Sequence, residues 1–114
     1  MNSVTKAKKE NLFWMDPESG EKYNAGVAFY ISDFGEYRLI LDAPRTVLYL
    51  RPKSATEDRI DFVVHSPVDI NGKFSHRVQV GSGYASSETN GQVYMKIGRY
   101  LPQRLVLVTE DEAA

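Results

Sequence analysis

The sequence predicts an all-β protein, a single small antiparallel meander that is either closed as a barrel or folded as a sandwich. Three observations support this fold class. Apolar residues recur at every second position along most of the chain, which is typical of strands with one buried face. Turn dipeptides such as Asn71-Gly72 and Asn90-Gly91 separate these runs. No amphipathic pattern is longer than about ten residues, so little or no helix is expected.

The alternation gives about eight strands with short connections between them. The expected boundaries are 11–15, 23–32, 36–42, 46–51, 59–65, 74–80, 92–98 and 104–109. In the second strand, Tyr23, Ala25, Val27, Phe29 and Ile31 are expected to form the core face, which turns Tyr30 outward. In the fourth strand, Leu48 and Leu50 are expected to be buried, while Val47, Tyr49 and Arg51 face the other way.

Turn residues separate the predicted strands. Ala43-Pro44 breaks the chain after the third strand, and Gly81-Ser82-Gly83 is expected to end the sixth. A single helical turn fits either Asp16-Pro17-Glu18-Ser19 or the region of Tyr100-Leu101-Pro102-Gln103. The sequence of turns favours strands that pair with their neighbours along the chain.

The length of 114 residues fits one domain that buries its own core. We expect residues 1–10 to be a flexible N-terminal arm with lysines at positions 6, 8 and 9. Residues 11–109 form the β domain, and residues 110–114 form an acidic tail. Chain ends of this polar composition are commonly frayed.

Composition limits the classes of function. The chain has no cysteine, which excludes disulfides, thiolate metal sites and a cysteine nucleophile. Its net charge is −1, with 14 basic and 15 acidic residues, so bulk charge does not favour nucleic acid or membrane. The first ten residues lack the apolar stretch of a secretory signal. We therefore expect a cytoplasmic protein that does not contact membranes.

The sequence lacks the patterns of an enzyme. The adjacent pair Ser75-His76 is expected to point to opposite faces of a strand and so cannot act as a catalytic couple. Asp61 and His65 are separated by roughly 13 Å at the rise of a strand. No catalytic residue, cofactor site or metal site is therefore predicted, and the protein is expected to be non-enzymatic.

Tyrosines and basic residues on the face away from the core are the best candidates for binding. The chain has 7 tyrosines, several on strands where alternation turns them outward. The candidate binding residues are Arg38, Tyr49, Arg51, Arg77, Tyr94 and Lys96. Tyrosine and arginine are enriched at protein interfaces, and tyrosine also stacks on nucleic-acid bases.

Two functional hypotheses follow from this surface. The first is a module that contacts a protein partner or forms a homo-oligomer, because Ile40, Val47 and Val63 place apolar groups on the same outer face. The alternative is an OB-like module for single-stranded nucleic acid in plasmid or phage biology, in which tyrosines stack bases and basic residues contact phosphates.

Residues 59–110 resemble a family of short proteins of unknown function that is common on proteobacterial plasmids and other mobile elements. The resemblance is carried by Gly83-Tyr84, Ser86-Ser87, Asn90-Gly91, Tyr94-Met95-Lys96-Ile97, Pro102 and Leu107-Val108, preceded by Asp61-Phe62-Val63-Val64 and Val78-Gln79-Val80. It implies a bacterial accessory role on a mobile element. It implies no site residues.

Overall fold

A computed structural model describes residues 8–16, 18–42, 45–90, 92–98 and 106–111. Most of these residues lie in eight strands. They are β1 (Lys8–Met15), β2 (Lys22–Ile31), β3 (Glu36–Asp42), β4 (Arg45–Ala55), β5 (Arg59–Ile70), β6 (Lys73–Ser86), β7 (Tyr94–Ile97) and β8 (Val106–Asp111). One short 3-10 turn, Ser87–Thr89, lies between β6 and β7. The predicted all-β class is confirmed.

The strands form a closed antiparallel barrel. Each strand pairs with the next along the chain, and β1 closes the sheet by pairing with β8 from Glu10↔Asp111 to Met15↔Val106. The barrel is therefore the arrangement adopted, and the sandwich is not. Closure gives each strand a partner on both sides within the barrel, which pairs the backbone groups that would otherwise promote aggregation.

Apolar side chains fill the interior of the barrel, as expected for a barrel of eight strands. The buried apolar residues are Leu12, Ala25, Ala28, Leu39, Leu41, Leu48, Leu50, Phe62, Val64, Ala85, Val93, Met95 and Ile97. Residues paired across neighbouring strands share a face, so Leu39 meets Leu48 and Leu50 meets Val64. The prediction that Leu48 and Leu50 face the core is confirmed.

The predicted core face of β2 is confirmed at Ala25, which is buried, but is wrong after it. The pairing of β1 with β2 shifts between Leu12 and Phe13, where Ala25 is an extra residue in β2. A bulge of this kind reverses which residues face the core, because side chains alternate along a strand. Ala28 is consequently buried opposite Leu39, while Val27 and Phe29 lie on the outer face.

Tyr30 follows the same reversal. It pairs with Tyr37 across β2 and β3, and the two rings meet edge to face with centroids 5.0 Å apart. Tyr37 packs against the core and donates a hydrogen bond of 3.0 Å to Glu10, which is buried. The expectation that Tyr30 faces outward is therefore wrong, because it lies on the same face as Tyr37.

β5 and β6 are longer than the strands beside them. β4 pairs with β5 only from Ala55↔Ile60 to Tyr49↔His65, and β7 pairs with β6 only from Gly81 to Tyr84. Residues 66–78 therefore pair with each other alone, and we call them the ribbon. The predicted end of the sixth strand at Gly81-Ser82-Gly83 is wrong, because β6 continues through these residues to Ser86.

The turn chemistry at the tip of the ribbon agrees with the sequence. Asn71 and Gly72 both have positive φ values, 55° and 77°, as a two-residue hairpin turn requires. Asn90 is also left-handed, with a φ of 56°, but Gly91 lies outside the described residues. The same is true of Lys6, of Ala43-Pro44 and of the turn expected near Leu101-Pro102.

At the two ends of the chain, strand structure reaches into the segments expected to be an arm and a tail. β1 begins at Lys8, and β8 extends to Asp111. Lys8 pairs with Tyr30 of β2, and Asp111 lies opposite Glu10 in the ladder that closes the barrel. Within the described residues, no helix is long and apolar enough to cross a membrane.

Two glycines allow β6 to approach β7 closely. A Cβ atom on Gly83 would lie 2.7 Å from the carbonyl oxygen of Tyr94 and 2.8 Å from Cγ of Met95. A Cβ atom on Gly81 would lie 2.3 Å from the carbonyl oxygen of Lys96. No side chain fits at either position without moving β7.

We predict that Gly83→Ala lowers the free energy of unfolding by about 2 kcal/mol, because the added methyl group overpacks the core. Urea denaturation measures this change. Gly98→Ala is the matched control, since a Cβ atom there meets no other atom within 4 Å. Its effect should stay within about 0.5 kcal/mol. Equal effects at the two positions would contradict this account of the contact between β6 and β7.

Candidate functional site

The outer face of β3 to β7 carries three rows of side chains. Residues paired on neighbouring strands project on the same face, so the pairing register defines each row. The rows are Arg38–Tyr49–His65–Gln79, Arg51–Val63–Ser82–Lys96 and Ser54–Asp61–Tyr84–Tyr94. Five of the six predicted binding residues stand in these rows. Arg77, the sixth, lies two residues from Gln79 along β6.

Arg77 ties the ribbon to the barrel. Its guanidinium lies 3.9 Å from the ring centroid of Tyr49. Its two Nη groups donate hydrogen bonds of 2.8 and 3.0 Å to the two carboxylate oxygens of Glu36. This contact joins β6 to β3 across the two strands between them. Sequence reasoning missed Glu36, because alternation places it on the outer face, where a carboxylate is ordinarily solvated.

The surroundings of Glu36 and Arg77 favour the charged form of both side chains. Glu36 is only 4% exposed, so an unpaired carboxylate there would be costly. The hydrogen bonds from Arg77 hold the pKa of Glu36 below its usual value of 4.5, and the charge of Arg51 acts in the same direction against the effect of burial. Arg77 and Tyr49 are therefore engaged within the protein, and they are not free side chains offered to a ligand.

His65 pairs with Tyr49 of β4 on one side and with Gln79 of β6 on the other. Its Nδ1 atom is buried and has no hydrogen-bond partner among the described residues. Asp61, four residues away along β5, accepts a hydrogen bond of 2.8 Å from Arg59. The sequence argument that Asp61 cannot orient His65 agrees with these contacts.

The expected separation of Ser75 from His76 is wrong. The Ser75 hydroxyl and Nδ1 of His76 are hydrogen-bonded at 2.9 Å. The reason is a second bulge, between Val68 and Asp69 of β5, at which Ser75 is the extra residue of β6 and the alternation fails. Both side chains are exposed on the ribbon, and no carboxylate joins them in the described part of the chain.

A groove with a volume of about 700 Å³ lies over the second and third rows. Its wall combines two tyrosines with three basic residues and one acid. The lining residues are Met15, Lys53, Ser54, Arg59, Asp61, Phe62, Val63, Gln79, Ser82, Gly83, Tyr84, Tyr94 and Lys96. Two of the predicted binding residues, Tyr94 and Lys96, are brought together here.

Arg59 contacts both a tyrosine ring and a carboxylate within the groove. The Arg59 guanidinium lies 4.3 Å from the ring centroid of Tyr84 and forms an ion pair of 2.8 Å with Asp61. The Tyr84 and Tyr94 rings lie 6.1 Å apart with a tilt of 44°. Sequence reasoning missed Arg59 and Tyr84. The alternation of β5 and β6 could have revealed them, had β6 been extended past Gly83.

Two lysines complete the groove at its sides. Lys53 comes from β4 and Lys96 from β7, and both side chains are exposed. Neither forms an ion pair within the described residues.

Among the described residues, no three His, Asp or Glu side chains gather closely enough to hold a metal ion. The groove therefore offers a ligand aromatic rings and exposed positive charges.

Comparisons with known proteins return no relatives. No family model matches the chain, and neither a curated protein nor a solved structure matches it. The resemblance of residues 59–110 to a plasmid-borne family stays a prediction.

We predict that Arg77→Gln lowers the free energy of unfolding at neutral pH by about 2–4 kcal/mol, since it leaves the buried Glu36 carboxylate unpaired. The pKa of Glu36 is lowered in the folded protein, so its contribution is present above pH 4.5 and is lost as the pH falls through the lowered pKa. The stability gap between wild type and variant should narrow on acidification. Urea denaturation at several pH values tests this.

Arg38→Gln is the control for that experiment. The Arg38 guanidinium lies 6.0 Å from the centroid of the same Tyr49 ring, and its side chain is exposed. Its loss should cost less than about 1 kcal/mol at every pH. A gap for Arg77→Gln that stays constant from neutral to acidic pH would show that the ion pair with Glu36 does not hold the ribbon.

Proposed function

We propose that the protein is a non-enzymatic interaction module that forms a homo-oligomer through the ribbon. The observation that carries this proposal is the exposure of apolar side chains on the ribbon. Phe74 is 62% exposed, Ile70 is 54% exposed and Val78 is 41% exposed. Three large apolar groups on one projecting hairpin are typical of a surface that another protein covers.

These side chains lie on both faces of the ribbon. Ile70 and Val78 share the face that continues from the barrel interior, because β5 alternates regularly from Val64 onward and Val78 pairs with Ser66. Phe74 pairs with Asp69 and lies on the opposite face. A contact that buries all three must enclose the ribbon, whereas a flat surface would cover one face alone.

A second copy of the chain suits this requirement. The ribbon carries Asp69 and Lys73 beside its apolar residues, so a copy related by a two-fold axis can meet it with opposite charges. The outer face of the barrel offers an apolar receptor, the cross-strand row of Val27, Ile40 and Val47. Reciprocal packing of each ribbon against the other copy closes the assembly as a dimer.

The biological setting of this module follows from the sequence. The resemblance of residues 59–110 supports an accessory role on a bacterial plasmid or another mobile element, and a cytoplasmic location agrees with such a role. Small accessory proteins of this size gain binding surface by self-association, because one 114-residue chain has limited area to offer.

The wild-type protein should elute as an oligomer in size-exclusion chromatography with light scattering. The double variant Ile70→Ser/Phe74→Ser should shift the protein toward monomer and weaken association by at least about 100-fold, since two large apolar side chains per copy leave the interface. Circular dichroism should show an intact fold, because both side chains are exposed in the single chain.

Phe34→Ser provides the matched control. Phe34 is 67% exposed in the turn between β2 and β3, outside the ribbon. Its replacement removes the same kind of side chain and should leave the oligomer unchanged. A wild-type protein that stays monomeric up to high concentration would overturn the proposal, as would an oligomer that Phe34→Ser disrupts and the double variant does not.

A further inference from the structure

We propose a second activity for the protein, the binding of single-stranded nucleic acid in the outer-face groove. The groove differs from the rest of the molecule in charge. It is lined by Lys53, Arg59 and Lys96 but by a single acid, Asp61. The whole chain, by contrast, has 14 basic and 15 acidic residues. A local excess of positive charge in a concave surface attracts a polyanion even when the net charge is close to zero.

The charges within the groove are of two kinds. Arg59 is held by Asp61 at 2.8 Å and lies over the Tyr84 ring, so it organises the groove floor and its charge is balanced locally. Lys53 and Lys96 are exposed and have no carboxylate against them in the described parts of the chain. These two ammonium groups are therefore the phosphate contacts.

The separation of the two lysines favours a polymeric ligand over a single nucleotide. Lys53 stands on β4 and Lys96 on β7, which are three inter-strand steps apart, or roughly 14 Å. A ligand with phosphates repeated along its length can pair with both lysines from opposite sides of the groove. An extended strand that crosses β5 and β6 presents a phosphate to each lysine in turn.

The tyrosines select an unpaired strand. Aromatic side chains on a β surface stack on bases, and stacking requires base faces that a duplex hides. Arg59 already covers Tyr84, so we assign base stacking to Tyr94, whose ring is tilted by 44° from that of Tyr84. Ser54, Gln79 and Ser82 add polar groups along the same wall, within reach of base edges or sugars.

An acidic peptide is the competing occupant, and the groove fits it less well. Carboxylates could pair with Lys53 and Lys96, but such a peptide brings no flat ring to the Tyr94 face. A basic peptide fits worse still, since the one acid of the groove is already paired with Arg59.

Fluorescence anisotropy with short labelled oligothymidylate and oligouridylate at low salt tests the proposal, and the two oligomers separate DNA binding from RNA binding. Binding of either is expected, and the logarithm of the affinity should fall linearly with the logarithm of salt concentration, with a slope of roughly −1.4 for two phosphate contacts. Lys96→Glu and Tyr94→Ser should each reduce the affinity at least about 10-fold.

Arg45→Glu is the control for charge. Arg45 is an exposed cation on β4 outside the groove, and its reversal makes the same change in net charge as Lys96→Glu. It should alter the affinity by less than about 3-fold. Absence of binding at low salt, equal loss from Arg45→Glu and Lys96→Glu, or equally tight binding of labelled polyglutamate would each overturn the proposal.

The groove and the ribbon are tested separately. The Ile70→Ser/Phe74→Ser variant retains every residue that lines the groove, so as a monomer it should still bind a short oligonucleotide within about 3-fold of the wild-type affinity per chain. Loss of binding in this variant would overturn the assignment of the site to the groove of one chain.

Discussion

The β5–β6 hairpin is longer than the strands beside it. This difference in length produces the projecting ribbon and its exposed apolar side chains. A strand in a closed barrel is stabilised by two partners, but beyond His65 and Gly81 these two strands have only each other. An isolated two-stranded hairpin is marginally stable in water. The ribbon therefore needs a contact with the barrel, and it leaves exposed Ile70 and Val78, which lie on the face that continues from the barrel interior.

Arg77 supplies that contact at low cost. Its planar guanidinium makes two parallel hydrogen bonds with Glu36 and stacks on Tyr49, so three groups that would each lose hydration on burial satisfy one another. A lysine could not make the same set of contacts, because it is a point charge without a flat face. Tyr49 and Arg77 are thus residues of the binding face by position, and their present contacts are internal.

The sequence predicts the strands of this fold well because alternation and turn dipeptides act locally. Leu48 and Leu50 point inward and Asn71-Gly72 turns the ribbon, as the pattern requires. The errors in strand faces lie at bulges, and the wrong end of the sixth strand lies at a close approach between strands. Ala25 and Ser75 are single extra residues that reverse a strand face, and only the partner strand shows that they are extra. Gly81 and Gly83 have the composition of a turn, but the proximity of β7 makes them strand residues.

The candidate site depends on register even more than the fold does. Tyr94 and Lys96 could be recognised on one strand by alternation alone. Their association with Lys53 and Arg59 requires the pairing of four strands, and the internal contacts of Arg77 require Glu36 and Tyr49 on two other strands. Pairwise side-chain contacts between residues 41 positions apart are not encoded in any local pattern.

The groove and the ribbon share β6, and this arrangement gives the two proposals a common consequence. Gln79 lines the groove while Val78, its neighbour, belongs to the apolar face of the ribbon. Two unpaired lysines give one groove only a weak, salt-sensitive hold on a polyanion. A dimer joined by the ribbons carries two such grooves, and a strand long enough to reach both binds the second at a high effective concentration. In the dimer that we propose, self-association would raise the affinity for long strands without a new contact, and this would give the exposed apolar ribbon a function beside a groove of modest charge.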